Sequence, residues 1–382
     1  MSVLLVSSKA LVFLGKIIDM RHLTFLLALV LCFSCKNEQK RTNKTLEKTS
    51  IIPYDSVEIS AILEDSLLNV RALEVYNGKM AVATSQGDFY TLFNDGKTFG
   101  KVSFDSISSN MDSIGNNNFR SLAIIKDSRF KNYYPLLGVT ITSPTKLYKN
   151  GILKYQEAHP DAFYDSMDFW NDQEGIAIGD PTDDCISIII TRDGGESWTK
   201  LSCDDLPKAK DGEAAFAASD TNIAIVGDET WVATGGKASR ILYSPNKGQT
   251  WEVFETPIIQ ELETTGMYSL DFYDAKNGFA IGGDYTKPND SIGNKIRTND
   301  GGRTWVRVGD GQSPGYRSCI QYFPNSDAKS LVAVGFKGID ISHDAGDTWK
   351  HLSDEGFYTL RFLNDSMAYA AGRGRVSKLV FR

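Results

Sequence analysis

One eight-residue phrase, Ser/Thr-x-Asp/Asn-x-Gly-x-Ser/Thr-Trp, occurs four times in this chain: at Thr191 to Trp198, Ser244 to Trp251, Thr298 to Trp305 and Ser342 to Trp349. Each copy follows a short apolar run rich in β-branched residues, such as Ile188-Ile189-Ile190, and precedes another strand-like run, so the phrase reads as a turn inside a repeated sheet. An Asp or Asn early in a turn accepts hydrogen bonds from backbone N–H groups ahead of it, and the Gly two positions later takes positive φ at little steric cost. The Trp that closes the phrase brings on the order of 200 Å² of apolar ring to a packed face. The whole chain has six Trp, and four of them stand at this one position, so the repeat governs packing as well as turning.

A second phrase lies upstream of each turn. It is clearest in Ser166-Met167-Asp168-Phe169-Trp170 followed by Gly175-Ile176-Ala177-Ile178-Gly179, and in Ser269-Leu270-Asp271-Phe272-Tyr273 followed by Gly278-Phe279-Ala280-Ile281-Gly282. Counting its looser versions, units begin near residues 69, 118, 164, 212, 266, 315 and 357, close to the ~40–50 residues of a propeller blade. Asn94 to Phe99 is a shortened turn phrase, and Asn150-Gly151 is a plain two-residue hairpin turn. The expectation is an all-β fold, a seven-bladed propeller of four-stranded antiparallel blades. The seventh unit ends after three strands, so Ser56 to Leu63 is expected to close the ring by pairing with Val376 to Phe381.

The turn phrase resembles the Asp-box, or bacterial neuraminidase repeat, in which Asp193, Asn246, Asp300 and Asp344 with Trp198, Trp251, Trp305 and Trp349 take a structural role away from any active site. The two phrases together resemble the propeller family of photosystem II stability/assembly factors, over residues 56 to 382 and best from 164 to 309. That resemblance implies a seven-bladed binding platform that helps a membrane complex assemble, with an arginine-rich patch in recognition. Arg71, Arg120 and Arg317 are the positions it carries over.

The first strand of each unit lies innermost, so its polar residues converge on the central channel. Arg71, Arg120 and Arg317 recur at one point there, Asp165 and Tyr268 fall at about the same register, and Glu213 is near it. Unpaired buried Arg is costly, so these six residues suggest channel water, Arg–carboxylate pairing or a bound anionic group. The alternative to a binding module is a carbohydrate-active hydrolase with channel-mouth carboxylates. A sialidase-like site would draw on Tyr268, Glu213 and Asp165, but the Phe-Arg-Ile-Pro motif is absent and the unit count is seven rather than six. No catalytic residue is marked. No cofactor motif follows any strand, His159, His343 and His351 are scattered, and the oxygen-rich loops at 180–184 and 284–290 lack an ordered ligand set, so neither cofactor nor metal is expected.

Residues 1–35 read as an export signal: Met20-Arg21-His22, then apolar Leu23 to Leu31, then Ser34 before Cys35, with 1–19 a possible upstream extension. Cys35 resembles a bacterial lipobox cysteine, which makes the chain an outer-membrane or periplasmic lipoprotein of the cell envelope, attached to the membrane only through lipid. Residues 36–51 form a flexible charged tether, and 52–382 the propeller. The net charge of −7 argues against nucleic acid and leaves a protein or glycan as partner. Cys185 and Cys203 flank the first turn phrase almost symmetrically, which sets them across a hairpin where a disulfide forms if the register allows, and otherwise leaves two thiols.

Overall fold

Apolar runs of four to six residues separated by Gly- and Asp-rich turns are too short for helices and are buried on both faces, as in Gly175–Gly179, Ser187–Thr191 and Leu331–Gly335. In the computed structural model, which describes residues 54–92, 99–102, 117–129 and 134–382, they pair as consecutive antiparallel strands. Five sheets have four strands each: sheet B (119–157), sheet C (164–200), sheet D (223–255), sheet E (267–307) and sheet F (319–353). Sheet A has six, in the order Thr359–Phe362, Met367–Phe381, Val57–Tyr76, Lys79–Thr84, Phe89–Leu92 and Phe99–Lys101. A two-stranded ribbon joins Glu213–Ala214 to Gly235–Gly236. The architecture is an all-β propeller with four-stranded antiparallel blades. The export signal, Cys35, the tether and most of the shortened phrase at 94–98 lie outside the described residues.

The large sheets number six, where seven blades are expected. The difference arises in sheet A, because its two longest strands do not break. Met367–Phe381 pairs first with Thr359–Phe362 and then, through Arg375 to Phe381, with Glu64 to Val57. The same strand Val57–Tyr76 goes on to pair with Lys79–Thr84 through its second half. The first and last repeat units are thereby fused into one hydrogen-bonded sheet.

The four repeat turns carry the same bonds. In the first, Asp193 accepts from the Ser197 N–H at 2.9 Å and from the Ser197 hydroxyl at 2.6 Å, while Thr191 Oγ1 donates to Asp193 and accepts from the Gly195 N–H, both at 2.9 Å. Asp300 and Asp344 repeat the set with Thr304 and Thr348; the exception is Asn246, whose Oδ1 accepts from the Thr250 N–H while its Nδ2 donates to the Thr250 hydroxyl. The glycine of each turn then touches the sheet before its own. A Cβ on Gly195, Gly248, Gly302 or Gly346, all at positive φ, would fall 2.3, 2.6, 2.9 or 2.2 Å from Leu137, Ile190, Trp231 or Phe279 respectively. Each turn therefore fits against the preceding sheet at a distance only glycine permits, and the Trp beside it joins the same intersheet core. Cys185 and Cys203 form a disulfide with Cα atoms 5.4 Å apart, and Cys319 is a buried thiol on the inner strand of sheet F.

Candidate functional site

The innermost strands share a local irregularity that positions the site. In sheet A the pairing register slips between Val70 and Ala72, in sheet B between Phe119 and Ser121, in sheet C between Tyr164 and Ser166, and in sheet E between Met267 and Ser269. The residues left over are Arg71, Arg120, Asp165 and Tyr268. A bulge of this kind re-aims one side chain out of the alternation of the strand. Four of the six residues singled out from the sequence are therefore presented by the same backbone device, one per sheet.

Arg317 does not belong with them. Leu122, Met167, Leu270 and Ile320 face Gly138, Ala177, Ala280 and Ala333 on the second strands. Counting back two residues from each gives Arg120, Asp165, Tyr268 and Ser318, so Arg317 is one residue out of step. Its guanidinium turns into sheet F, where Nε donates to Asp340 at 2.7 Å and the pair is almost wholly buried. Glu213 is likewise engaged: its carboxylate receives Arg240 Nε at 3.0 Å and the Thr234 hydroxyl at 2.7 Å, which ties the two-stranded ribbon to sheet D. The Tyr268 hydroxyl donates to the Thr264 carbonyl at 2.9 Å. The Glu213 carboxylate is thus taken up by Arg240 and Thr234, and the Tyr268 hydroxyl by a backbone carbonyl.

The segment that the sequence marks as the inner strand of the unit near 212 takes a different place, that of a plug. Residues 215–222, between the ribbon and sheet D, are bonded to the inner strands of four surrounding sheets. Arg71 donates to the Ala218 carbonyl at 2.7 Å, Arg120 to the Ala217 carbonyl at 3.2 Å, and Arg361 to the Asp220 carbonyl at 2.6 Å. The Asp220 carboxylate accepts from Leu122 N, Ser166 Oγ and Met167 N at 3.0, 2.9 and 3.3 Å, and Thr221 reaches Ser269 at 2.7 Å. Asp220 holds φ at +60°, a conformation that Asp adopts more readily than most side chains. From the sequence, Ala214-Ala215-Phe216 is the inner-strand phrase of the unit that begins near 212, and nothing local marks it and the residues up to Asn222 as a segment bonded by the other sheets.

Above this plug the charge is unbalanced. Neither Arg71 nor Arg120 forms an ion pair with a described residue: their partners are neutral carbonyls, Asn118 and, for Arg71, the face of Tyr358 at 3.8 Å. The buried Nε of Arg71 has no acceptor among the described residues. Burial lowers both guanidinium pKa values, that of Arg120 to about 10, with Arg71's charge adding to the effect and Asp165 opposing it. Asp165 is fully buried, and burial followed by the nearby Asp180 raises its pKa well above the carboxylate range. The Arg120 charge and the Ala217 amide favour its ionised form, yet neither makes a well-formed hydrogen bond to it.

Glu74, Asp168, Asp220 and Asp271 all lie within electrostatic reach of Arg361, which donates to Glu74 at 3.3 Å. Burial raises all four, Asp168 and Asp220 to about 7 and Asp271 to about 6. Among the described residues no three His, Cys, Asp or Glu side chains gather as a metal site.

An aromatic shelf adjoins the arginines. Tyr268 stacks on Phe216 at 4.1 Å and meets Tyr316 edge-on at 4.8 Å; Tyr316 touches Tyr285 at 6.4 Å and Phe336 at 5.5 Å. Tyr285 and Phe336 are 49% and 41% exposed.

No protein-family model matches the chain, and no curated protein matches it in sequence. Solved structures match its fold. YCF48 bound to a D1 peptide aligns with a TM-score of 0.58 at 12% identity, over 87% of this chain and 98% of that one. YCF48 from Cyanidioschyzon merolae aligns at 0.55 and 12%, over 86% and 99%. The WD40 repeats of RRP9 align at 0.55 and 9%, over 86% and 98%. At these identities the likeness is one of fold.

Proposed function

We propose that this chain is a protein-binding, assembly-type module that captures an anionic segment of its partner at the mouth formed by Arg71, Arg120, Asp165 and Tyr268. The observation that carries the reading is the pair of arginines raised on bulges beside exposed rings and without an ion pair to a described residue, the nearby Asp165 carboxyl being pushed toward its neutral form by burial. Guanidinium is suited to bidentate recognition of carboxylates, and a buried cation without its anion gains most from one. The filled centre favours a surface platform over a reaction chamber, and two partly desolvated cations favour a peptide over a neutral glycan. Among solved structures of this fold, one is of YCF48 bound to a D1 peptide, which is in keeping with the reading.

The same proposal counts sheet A as two blade equivalents, for seven in all with Val57 to Glu64 as the closing strand, and takes the repeat turns as Asp-boxes. It places the chain in the cell envelope as a lipoprotein anchored through Cys35. A Cys185–Cys203 disulfide suits an oxidising compartment. Arg71→Ala and Arg120→Ala should each reduce capture of partner from native membranes by about tenfold or more, while Arg71→Lys, which keeps the charge, should retain part of it. Undiminished capture by both alanine variants would remove the mouth as the binding site. Labelled palmitate that still enters a Cys35→Ala chain would remove the anchor.

A further inference from the structure

We infer that Tyr285 and Phe336 form a second subsite beside the arginines, so that the partner is an extended acidic peptide with an aromatic or large aliphatic side chain within about three residues of its carboxylate. This rests on the reading of Arg71 and Arg120 given above and narrows it.

The arginine and the rings are continuous. Arg71 lies on the Tyr358 ring and within electrostatic reach of Tyr316, and Tyr316 is in ring contact with both Tyr285 and Phe336. Arginine and rings thus form one surface in which the inner members, Tyr268 and Tyr316, are buried and the outer two are open to solvent. The ring centroids stand 6.4 and 5.5 Å beyond Tyr316, and an extended chain advances about 6.6 Å over two residues. A peptide whose carboxylate meets Arg71 and whose backbone runs extended past Tyr316 would set one of its next few side chains over these rings.

The rings also come from independent loops. Tyr285 sits between the second and third strands of sheet E, and Phe336 in the hairpin Gly335 to Gly338 of sheet F. Their convergence beside an uncompensated cation gives the mixture of aromatic rings and Arg that is concentrated at the centres of protein interfaces. Charge complementarity selects the occupant: an uncharged apolar segment would leave Arg71 and Arg120 without an anion, and an acidic segment without an apolar side chain would leave both rings in water.

The test is selection of a displayed random decapeptide library on the immobilised full-length protein, in parallel with a Tyr285→Ser/Phe336→Ser double variant whose melting curve checks that it folds. The wild type should enrich peptides that combine Asp or Glu with Phe, Tyr, Trp, Leu or Ile within three residues. The double variant should keep the acidic preference and lose the apolar one, and the best synthetic peptide should bind it about tenfold more weakly by fluorescence anisotropy. Enrichment of acidic residues alone on the wild type overturns the shelf and leaves the arginine mouth standing. Enrichment without acidic residues, or no enrichment, overturns both.

Discussion

Asp220 and Arg317 show how a single side chain decides between holding the fold and serving a ligand. Asp220 accepts two backbone N–H groups and one hydroxyl from sheets B and C at a position with φ of +60°. Asp220→Ala leaves those buried donors without an acceptor, at about 1–3 kcal/mol for each backbone group, and places Ala in a left-handed conformation. Asp220→Asn keeps a carbonyl acceptor and tolerates the backbone, so urea titration should show the alanine variant losing several times more stability than the asparagine one. Similar losses would mean that the carboxylate is not the pin of the plug. Arg317→Ala leaves buried Asp340 with His351 as its remaining hydrogen-bond partner among the described residues and Lys295 within electrostatic reach, and should cost about 3–5 kcal/mol while peptide capture by the folded fraction stays unchanged. Reduced capture at unchanged stability would return Arg317 to the mouth.

At the scale of the element, the repeat turn is both a hairpin and a spacer between sheets. Asp300→Ala removes the bonds to Thr304 N and Oγ1, an exposed pair worth about 1 kcal/mol each. The glycines allow a sharper comparison. Gly78 and Gly346 have φ of +74° and +89°, but a Cβ on Gly78 meets nothing within 4 Å, whereas one on Gly346 would lie 2.2 Å from Phe279. Gly78→Ala should therefore cost about 1 kcal/mol of backbone strain, and Gly346→Ala distinctly more, because sheets E and F must separate to admit the methyl. Equal shifts in melting temperature would show that the turn does not set the spacing.

For the whole molecule, the buried acids dictate how stability follows pH. Asp168 and Asp220 at about 7, and Asp271 and Asp180 at about 6, are raised chiefly by burial, against about 3.9 for Asp in the unfolded chain. The native state binds more protons than the unfolded one, so this stabilisation is complete below about pH 4 and is lost as pH rises through 6 to 7. At the other end, hydrogen bonding from Arg129 lowers Asp127 to about 2, and at Glu196 the pairs with Lys154, Lys149 and Arg129 outweigh burial to reach about 2; their contribution is present above about pH 4 and lost as pH falls toward 2. The melting temperature should peak in mildly acidic buffer and fall toward pH 8, and Asp220→Asn should flatten the descent. A melting temperature that rises steadily from pH 5 to 8 would contradict the buried cluster.

Strands, turns and the repeated corner Trp were open to reading in the chain because they are local: Asp193, Gly195 and Trp198 act within one turn, and the period of the phrase marks each sheet. Arg71, Arg120, Asp165 and Tyr268 could be singled out for the same reason, as residues at one point of a repeated strand. The position of Arg317 could not be read, because a one-residue offset from the repeat leaves no mark in composition yet puts the side chain on the other face of the strand. The fusion of sheet A depends on contacts between residues 57–64 and 375–381, some three hundred positions apart. The plug is the clearest case of all: Ala217, Ala218 and Asp220 acquire their role only when inner strands from four sheets close around them, since the hydrogen bonds that define it join residues about 50 to 150 apart in the chain. Sequence alone settled what each segment does by itself, whereas tertiary structure decided which side chains are left over to face a partner, because that depends on which ones the fold has already paired.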